Sequence, residues 1–166
     1  MIVAMADNRV IGMGGKIPWR VPTDMRHFVE LTAGHPVIMG RKTYQSIPKK
    51  YRPLDKGRTN IVMTRHPSQV DFDTEGTILA SSPVEALAEA IIHDEEVVFI
   101  AGGHDIYELF LPEVSTIFLT RVCAQVEGDA FFPELPDNTW KLVDQCKKTQ
   151  CENDQFPVIF EIWVRR

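Results

Sequence analysis

Short β-rich runs alternate with helical patterns along the whole chain, and this alternation constrains the fold more than any other feature. "MIVAMA" is followed by a helical pattern over Thr23–Thr32, "PVIMG" by a turn around Thr43–Ile47, and "NIVMT" and "TILA" by a helix over Val84–His93. "EVVFIAGG" then precedes a helix over Asp105–Leu111. Strands joined by crossover helices imply an α/β fold with a mainly parallel sheet. No helical pattern separates the last runs, "TIFLTRVCAQV" and "VIFEIWVRR", so they read as neighbouring antiparallel strands that make the sheet mixed at one edge. A chain of 166 residues can bury about two-thirds of its unfolded surface around one core, so the expectation is one domain over residues 1–166.

In such sheets ligands bind beyond the carboxyl ends of the strands. "VIMGRKT" leads from a strand through Gly40 into a helical turn, offering backbone N–H groups with Arg41 and Lys42. "NIVMTRHP" puts Thr64 and Arg65 at a second strand end, and "VVFIAGGHDIYELF" is strand, Gly102–Gly103, helix. Each segment alone reads more readily as an ordinary strand-to-helix turn. Charge separates the two readings. The net charge is −5, yet the window from Arg41 to Arg65 holds eight Lys or Arg against the single acid Asp55, +7 against −12 elsewhere. A local positive field in an acidic protein suits a small polyanion such as a dinucleotide, whereas the overall balance argues against nucleic acid. The Gly-x-Gly-x-x-Gly fingerprint is absent, as are a nucleophile elbow, a P-loop lysine and an HxxxH zinc pattern.

Asp24 stands out for a different reason. In "IPWRVPTDMRHF" it lies four residues before Phe28 and seven before Leu31, which places a carboxylate on the apolar side of its helix. The plain explanation is a helix start in which Thr23 is the cap and Asp24 complements the macrodipole. The other is a buried acid with a chemical task. Cys123, Cys146 and Cys151 form no CxxC pair and have no His at metal-ligand spacing, so they read as reduced thiols and no metal is expected. No run approaches the ~20 apolar residues of a membrane span and no signal-like segment opens the chain, so the expectation is a cytoplasmic protein, and a monomer.

The quoted motifs, in this order, resemble the bacterial-type dihydrofolate reductase family. "NRVIGMGGKIPWRVPTDMRHF" is similar to its active-site loop and acid-bearing helix, "PVIMGRKTYQSI" and "GRTNIVMTR" to its phosphate turns, "IAGGHDIYELFLP" to its Gly-Gly segment, and "FLTRVCAQVEGDAFFP" to the stretch carrying a pocket threonine. The resemblance implies reduction of 7,8-dihydrofolate by NADPH, sensitivity of the same site to antifolates, and a mixed sheet of about eight strands flanked by about four helices. It implies that Asp24 binds the pterin 2-amino group and N3 and promotes protonation at N5, with Thr120 hydrogen-bonded toward it and Trp19 holding a water nearby.

By the same resemblance, Ile2, Met5, Met25, Phe28, Ile47 and Leu54 would wall the substrate, and Arg58 would hold the glutamate-tail carboxylate. Arg52, in the long basic connection "PKKYRPLDKGR", is the alternative for that role. Ala4, Ile11, Met13 and Ala101 would border the nicotinamide. Gly40, Arg41, Lys42 and Thr43 would cradle phosphates, Thr64 and Arg65 would hold the 2′-phosphate, and a cis Gly102–Gly103 peptide would precede a diphosphate turn at His104, Asp105 and Ile106. The Asp105 carboxylate must there point away from the cofactor or accept a ribose hydroxyl. Gly14 and Gly15 should loosen the active-site loop. Two rival readings are a riboflavin-pathway pyrimidine reductase of the same fold, which predicts no acid at Asp24, and a non-catalytic dinucleotide-binding module.

Overall fold

The structure, a computed structural model, describes residues 1–69, 74–94 and 96–166. Its strands are β1 (Ile2–Ala6), β2 (Val10–Gly12), β3 (Val37–Gly40), β4 (Asn60–Met63), β5 (Thr77–Ala80), β6 (Phe99–Ile100), β7 (Thr116–Val122), β8 (Ala130–Phe131), β9 (Trp140–Gln145) and β10 (Val158–Arg165). The helices are α1 (Pro22–Thr32), α2 (Arg41–Ser46), α3 (Pro83–His93) and α4 (His104–Phe110).

The ladders do not form one sheet of eight. Two four-stranded sheets, ordered β1-β7-β10-β9 and β5-β4-β3-β6, stand beside a two-stranded β2-β8 ribbon. The second sheet is wholly parallel, and β1 pairs parallel with β7. The antiparallel pairing of β7 with β10 is as the sequence implies, with Thr120 opposite Phe160. Both large sheets feed the same two cores. Ile2 of β1 shares a cluster with Val37, Met39, Val62 and Phe99 of the other sheet, whereas Val3, Met5, Ile117 and Leu119 pack with Ile38, Ile61 and Ile100. Side chains alternate between faces along a strand, so each cluster is one face of both sheets.

Helix starts differ from the sequence expectation by one or two residues. Proline lacks only an N–H that a first-turn residue does not need, so α1 and α3 begin on Pro22 and Pro83 rather than after them. In α3 the Ser82 hydroxyl accepts from the Glu85 N–H at 3.2 Å, while the Glu85 carboxylate accepts from the Ser81 N–H at 2.7 Å. Thr23 is not the cap of α1: the N-cap residue is Val21, which has no capping side chain, and Thr23 lies inside the first turn. α2 starts at Arg41, directly on Gly40, so the chain passes from β3 into helix without a loop.

Candidate active site

Asp24 sits in the first turn of α1, on the same side as Phe28 and Leu31, which pack into the Ile2 cluster. Opposite it, Ile2 and Ala4 of β1 lie in register with Phe118 and Thr120 of β7, and the Thr120 hydroxyl hydrogen-bonds to the Asp24 carboxyl. Trp19, in the loop that enters the helix, is buried with Ala4 and Val21. A cleft of about 700 Å³ is lined by Trp19, Val21, Asp24, Met25, Val29, Arg26, Glu30 and Lys56 among others.

The electrostatics of Asp24 follow from this setting. Burial of the carboxyl raises its pKa to about 6; the Thr120 hydrogen bond lowers it in part, and the charge of Asp154 pushes the same way as burial. Asp154 lies in "CENDQF", between β9 and β10, and nothing local in that stretch marks it as a partner of α1. Tyr107 of α4 is buried, donates from its hydroxyl to the Ile2 carbonyl at 2.9 Å, and is held protonated by burial and by the Asp24 charge.

Of the predicted substrate wall, Ile2, Phe28, Ile47 and Leu54 come together in one cluster with Tyr44. Met5 does not join them. It lies three residues from Ile2 on the opposite face of β1 and is buried in the other core with Val3 and Leu119. Met25 lines the cleft but is 54% exposed, so it contributes little to the burial of Asp24.

Leu54 is fixed by Asn60, whose side chain accepts from the Leu54 N–H and donates to its carbonyl, both at 2.8 Å. Arg58 is buried. Its guanidinium donates to the Thr32 hydroxyl at 2.8 Å, to the Val29 carbonyl at 2.8 Å and to the Asp55 carbonyl, and lies over the Phe28 ring. Arg52 stacks over Tyr44, and its Nε is buried with no hydrogen-bond partner among the described residues.

A second group of residues converges where β3 meets α2 and β6 meets α4. The Gly40 N–H donates to the Gly102 carbonyl at 2.7 Å, and the Gly102–Gly103 peptide is cis. Gly102 has φ +92°, and a Cβ there would lie 2.7 Å from the Tyr107 ring. A Cβ on Gly40 would lie 3.0 Å from Ile106, and one on Gly103 would lie 3.2 Å from the Thr43 hydroxyl. Glycine at these positions lets the starts of α2 and α4 lie side by side, neither with a capping side chain.

Arg41 is half-buried beside Gln45, and Lys42 is exposed. At the end of β4, Thr64 is half-buried, and the exposed Arg65 has no ion-pair partner among the described residues. Ala101, which follows β6, packs on the Ile2 cluster, and Ile11 and Ile106 pack on the other core. His104 is engaged with the β8 strand through the Phe131 carbonyl at 2.7 Å, and Asp105 is exposed. Met13, 47% exposed, closes a tight turn with Lys16. Gly14 and Gly15 take the positive φ of that turn, and the Gly14 N–H donates to Asp129 at 2.9 Å, so this loop is tied at its tip. Among the described residues no cluster of His, Cys, Asp and Glu could hold a metal, and no helix is long and apolar enough to cross a membrane.

Comparison with known proteins agrees with this geometry. A family model described as dihydrofolate reductase matches residues 1–165. The chain is 35% identical over 165 residues to a dihydrofolate reductase of Bacillus subtilis, covering 99% of this chain and 93% of that one. It is 36% identical to one of Haemophilus influenzae, covering 100% and 98%. A solved structure of dihydrofolate reductase from Enterococcus faecalis, complexed with NADP(H) and RAB-propyl, superposes with a TM-score of 0.85 at 31% identity, covering 99% of this chain and 94% of that one. An acid on the apolar side of α1, a threonine facing it from β7 and a glycine-built junction at the strand ends are thus found in a chain that belongs to the dihydrofolate reductase family.

Proposed function

We propose that the cleft before Asp24 is where 7,8-dihydrofolate is reduced to tetrahydrofolate, and that NADPH binds along the ends of β3, β4 and β6. The observation that carries this reading is a buried acid on the apolar side of α1, hydrogen-bonded to Thr120 and raised to a pKa of about 6, at the wall of a cleft. An acid near neutrality can hold the pterin 2-amino group and N3 as carboxylate and promote protonation at N5 as carboxylic acid. Trp19, in the loop before α1, would retain the water through which a proton passes. When bound, NADPH supplies the hydride that C6 receives.

The residues at the strand ends fit such a cofactor. The uncapped starts of α2 and α4, with Gly40, Arg41, Lys42, Thr43 and Gly103, would hold the diphosphate, and Thr64 with Arg65 the 2′-phosphate. Ala4, Ile11, Met13 and Ala101 would border the nicotinamide, with His104, Asp105 and Ile106 at the turn beyond. Ile2, Phe28, Ile47 and Leu54 would wall the pterin and aminobenzoyl groups, and antifolates would compete for the same wall. For the glutamate tail, Arg58 is the first candidate and Arg52, with its orphaned Nε, the second.

The two four-stranded sheets are read as halves of one β layer, since two core clusters draw on both, and residues 1–166 as one domain. The acidic balance argues against a nucleic-acid partner, and the protein is read as a cytoplasmic monomer without a membrane partner. Mixing protein, NADPH and dihydrofolate and following reduced-nicotinamide absorbance tests the reading. Absorbance should fall only when all three are present. No turnover, with NADPH bound, would instead indicate a dinucleotide-binding module.

A further inference from the structure

α1 begins without a cap of its own, yet its first turn leaves no donor free. Pro22 has no N–H, and the Asp24 and Met25 N–H groups reach back to the Val21 carbonyl at 3.1 and 3.4 Å. The remaining one, on Thr23, donates to the Asp154 carboxylate at 3.0 Å, and the Thr23 hydroxyl donates to the other oxygen at 2.6 Å. These partners are 131 residues apart in sequence. Asp154 is 5% exposed and is fixed by its own loop, where the Cys151 N–H donates to its carboxylate at 2.8 Å. Gln155 secures the same junction: its N–H donates to the Arg20 carbonyl at 2.8 Å and its side chain accepts from the Arg20 N–H at 3.1 Å.

We propose that Asp154 is a positioning residue for the reaction: it caps α1 from the β9–β10 loop and, by occupying the helix-start donors with its own negative charge, keeps the Asp24 carboxyl available as an acid. A helix start ordinarily stabilises a first-turn carboxylate. Here that stabilisation goes to Asp154. Burial pushes Asp154 up, but the hydrogen bonds from Thr23 and Cys151, with the Arg26 charge, outweigh it and hold the group below the usual carboxylate range. Asp154 is therefore charged at neutral pH and opposes ionisation of Asp24. The other titratable groups facing Asp24 are Tyr107 from α4 and, around the cleft, Arg20, Arg26, Glu30 and Lys56; β7 presents Thr120, which does not titrate.

The inference rests on Asp24 as the proton-handling group, and the test separates the two. Single-turnover hydride transfer is measured against pH with saturating NADPH and dihydrofolate for the parent, Asp154→Asn and Asp154→Glu. Asp154→Asn should lower the apparent pKa by about half to one unit, so that its rate approaches the parent's only below about pH 5 and falls about 3- to 10-fold at pH 7. Asp154→Glu keeps the charge and should restore the parent midpoint. Asp154→Ser, small, neutral and still able to accept a hydrogen bond, carries the same expectation as Asn should the Asn variant fail to fold. A uniform loss at every pH, with the parent midpoint retained in the neutral variants, or a Glu variant that behaves as Asn does, would reduce Asp154 to a structural tie and overturn the proposal. A parent rate independent of pH would instead strike the reading of Asp24.

Discussion

Asp24 is a residue placed against its own stability. A carboxyl whose folded pKa is about 6, against an ordinary value of 3.8, binds more protons in the native than in the unfolded state between those values. Stability is therefore lost as pH rises from about 4 to 6, and the full penalty persists above. Asp24→Asn removes it, so the variant should be more stable than the parent at pH 7 by about 1–3 kcal/mol, with the advantage vanishing toward pH 4. Urea unfolding of both proteins at the two pH values checks this. The sequence singles out Asp24 because a lone acid interrupts an apolar helical face. It does not disclose that the Thr23 N–H is already taken by Asp154, a contact with no local pattern. Met5 went the other way: its apolar character was plain, but only the alternation of β1 decides which face it joins.

The elements were legible where a breaker or cap marks them and less so at edges. Pro22 and Pro83 bracket helix starts that periodicity alone shifts by a residue. β9 escapes the sequence because only Trp140 of its six residues is buried, so an edge strand offers little alternation to read. The strand-end elements carry two expectations. Arg65, exposed beyond β4, should pair with the 2′-phosphate, so Arg65→Ala should weaken NADPH binding roughly 10- to 100-fold and leave NADH nearly unchanged in fluorescence titrations. Equal losses would assign Arg65 to the diphosphate or the fold. In the connection before β4, Arg58 is built into the protein through Thr32, Val29 and Asp55, whereas Arg52 keeps a buried donor unspent. Arg58→Ala should cost affinity for dihydrofolate, but not for an analogue without the glutamate tail, and should also lower stability. If Arg52→Ala shows the tail-specific loss and Arg58→Ala only the instability, the tail belongs to Arg52.

Across the whole molecule, charge and topology place the chemistry. The +7 window from Arg41 to Arg65 spans α2 and the approach to β4, so the positive field gathers at the strand ends of a protein that is acidic elsewhere. The order of motifs carries the family resemblance because each marks a strand end, and strand ends are where this architecture binds ligands. Division into two ladders is not legible from those motifs, since a cluster fed by both sheets is a fact of packing rather than of pattern. Both halves converge on one acid, and the claim that this acid manages the proton is tested most directly by the single-turnover hydride rate of the parent and Asp24→Asn across pH. The parent rate should fall as pH rises through its apparent pKa. Asp24→Asn should bind NADPH normally, lose about 10²-fold or more in rate near pH 7, and recover steadily as pH is lowered, because substrate already protonated in solution no longer needs the missing group. A near-parent rate for Asp24→Asn at neutral pH would contradict it and leave Asp24 an acid at a helix start.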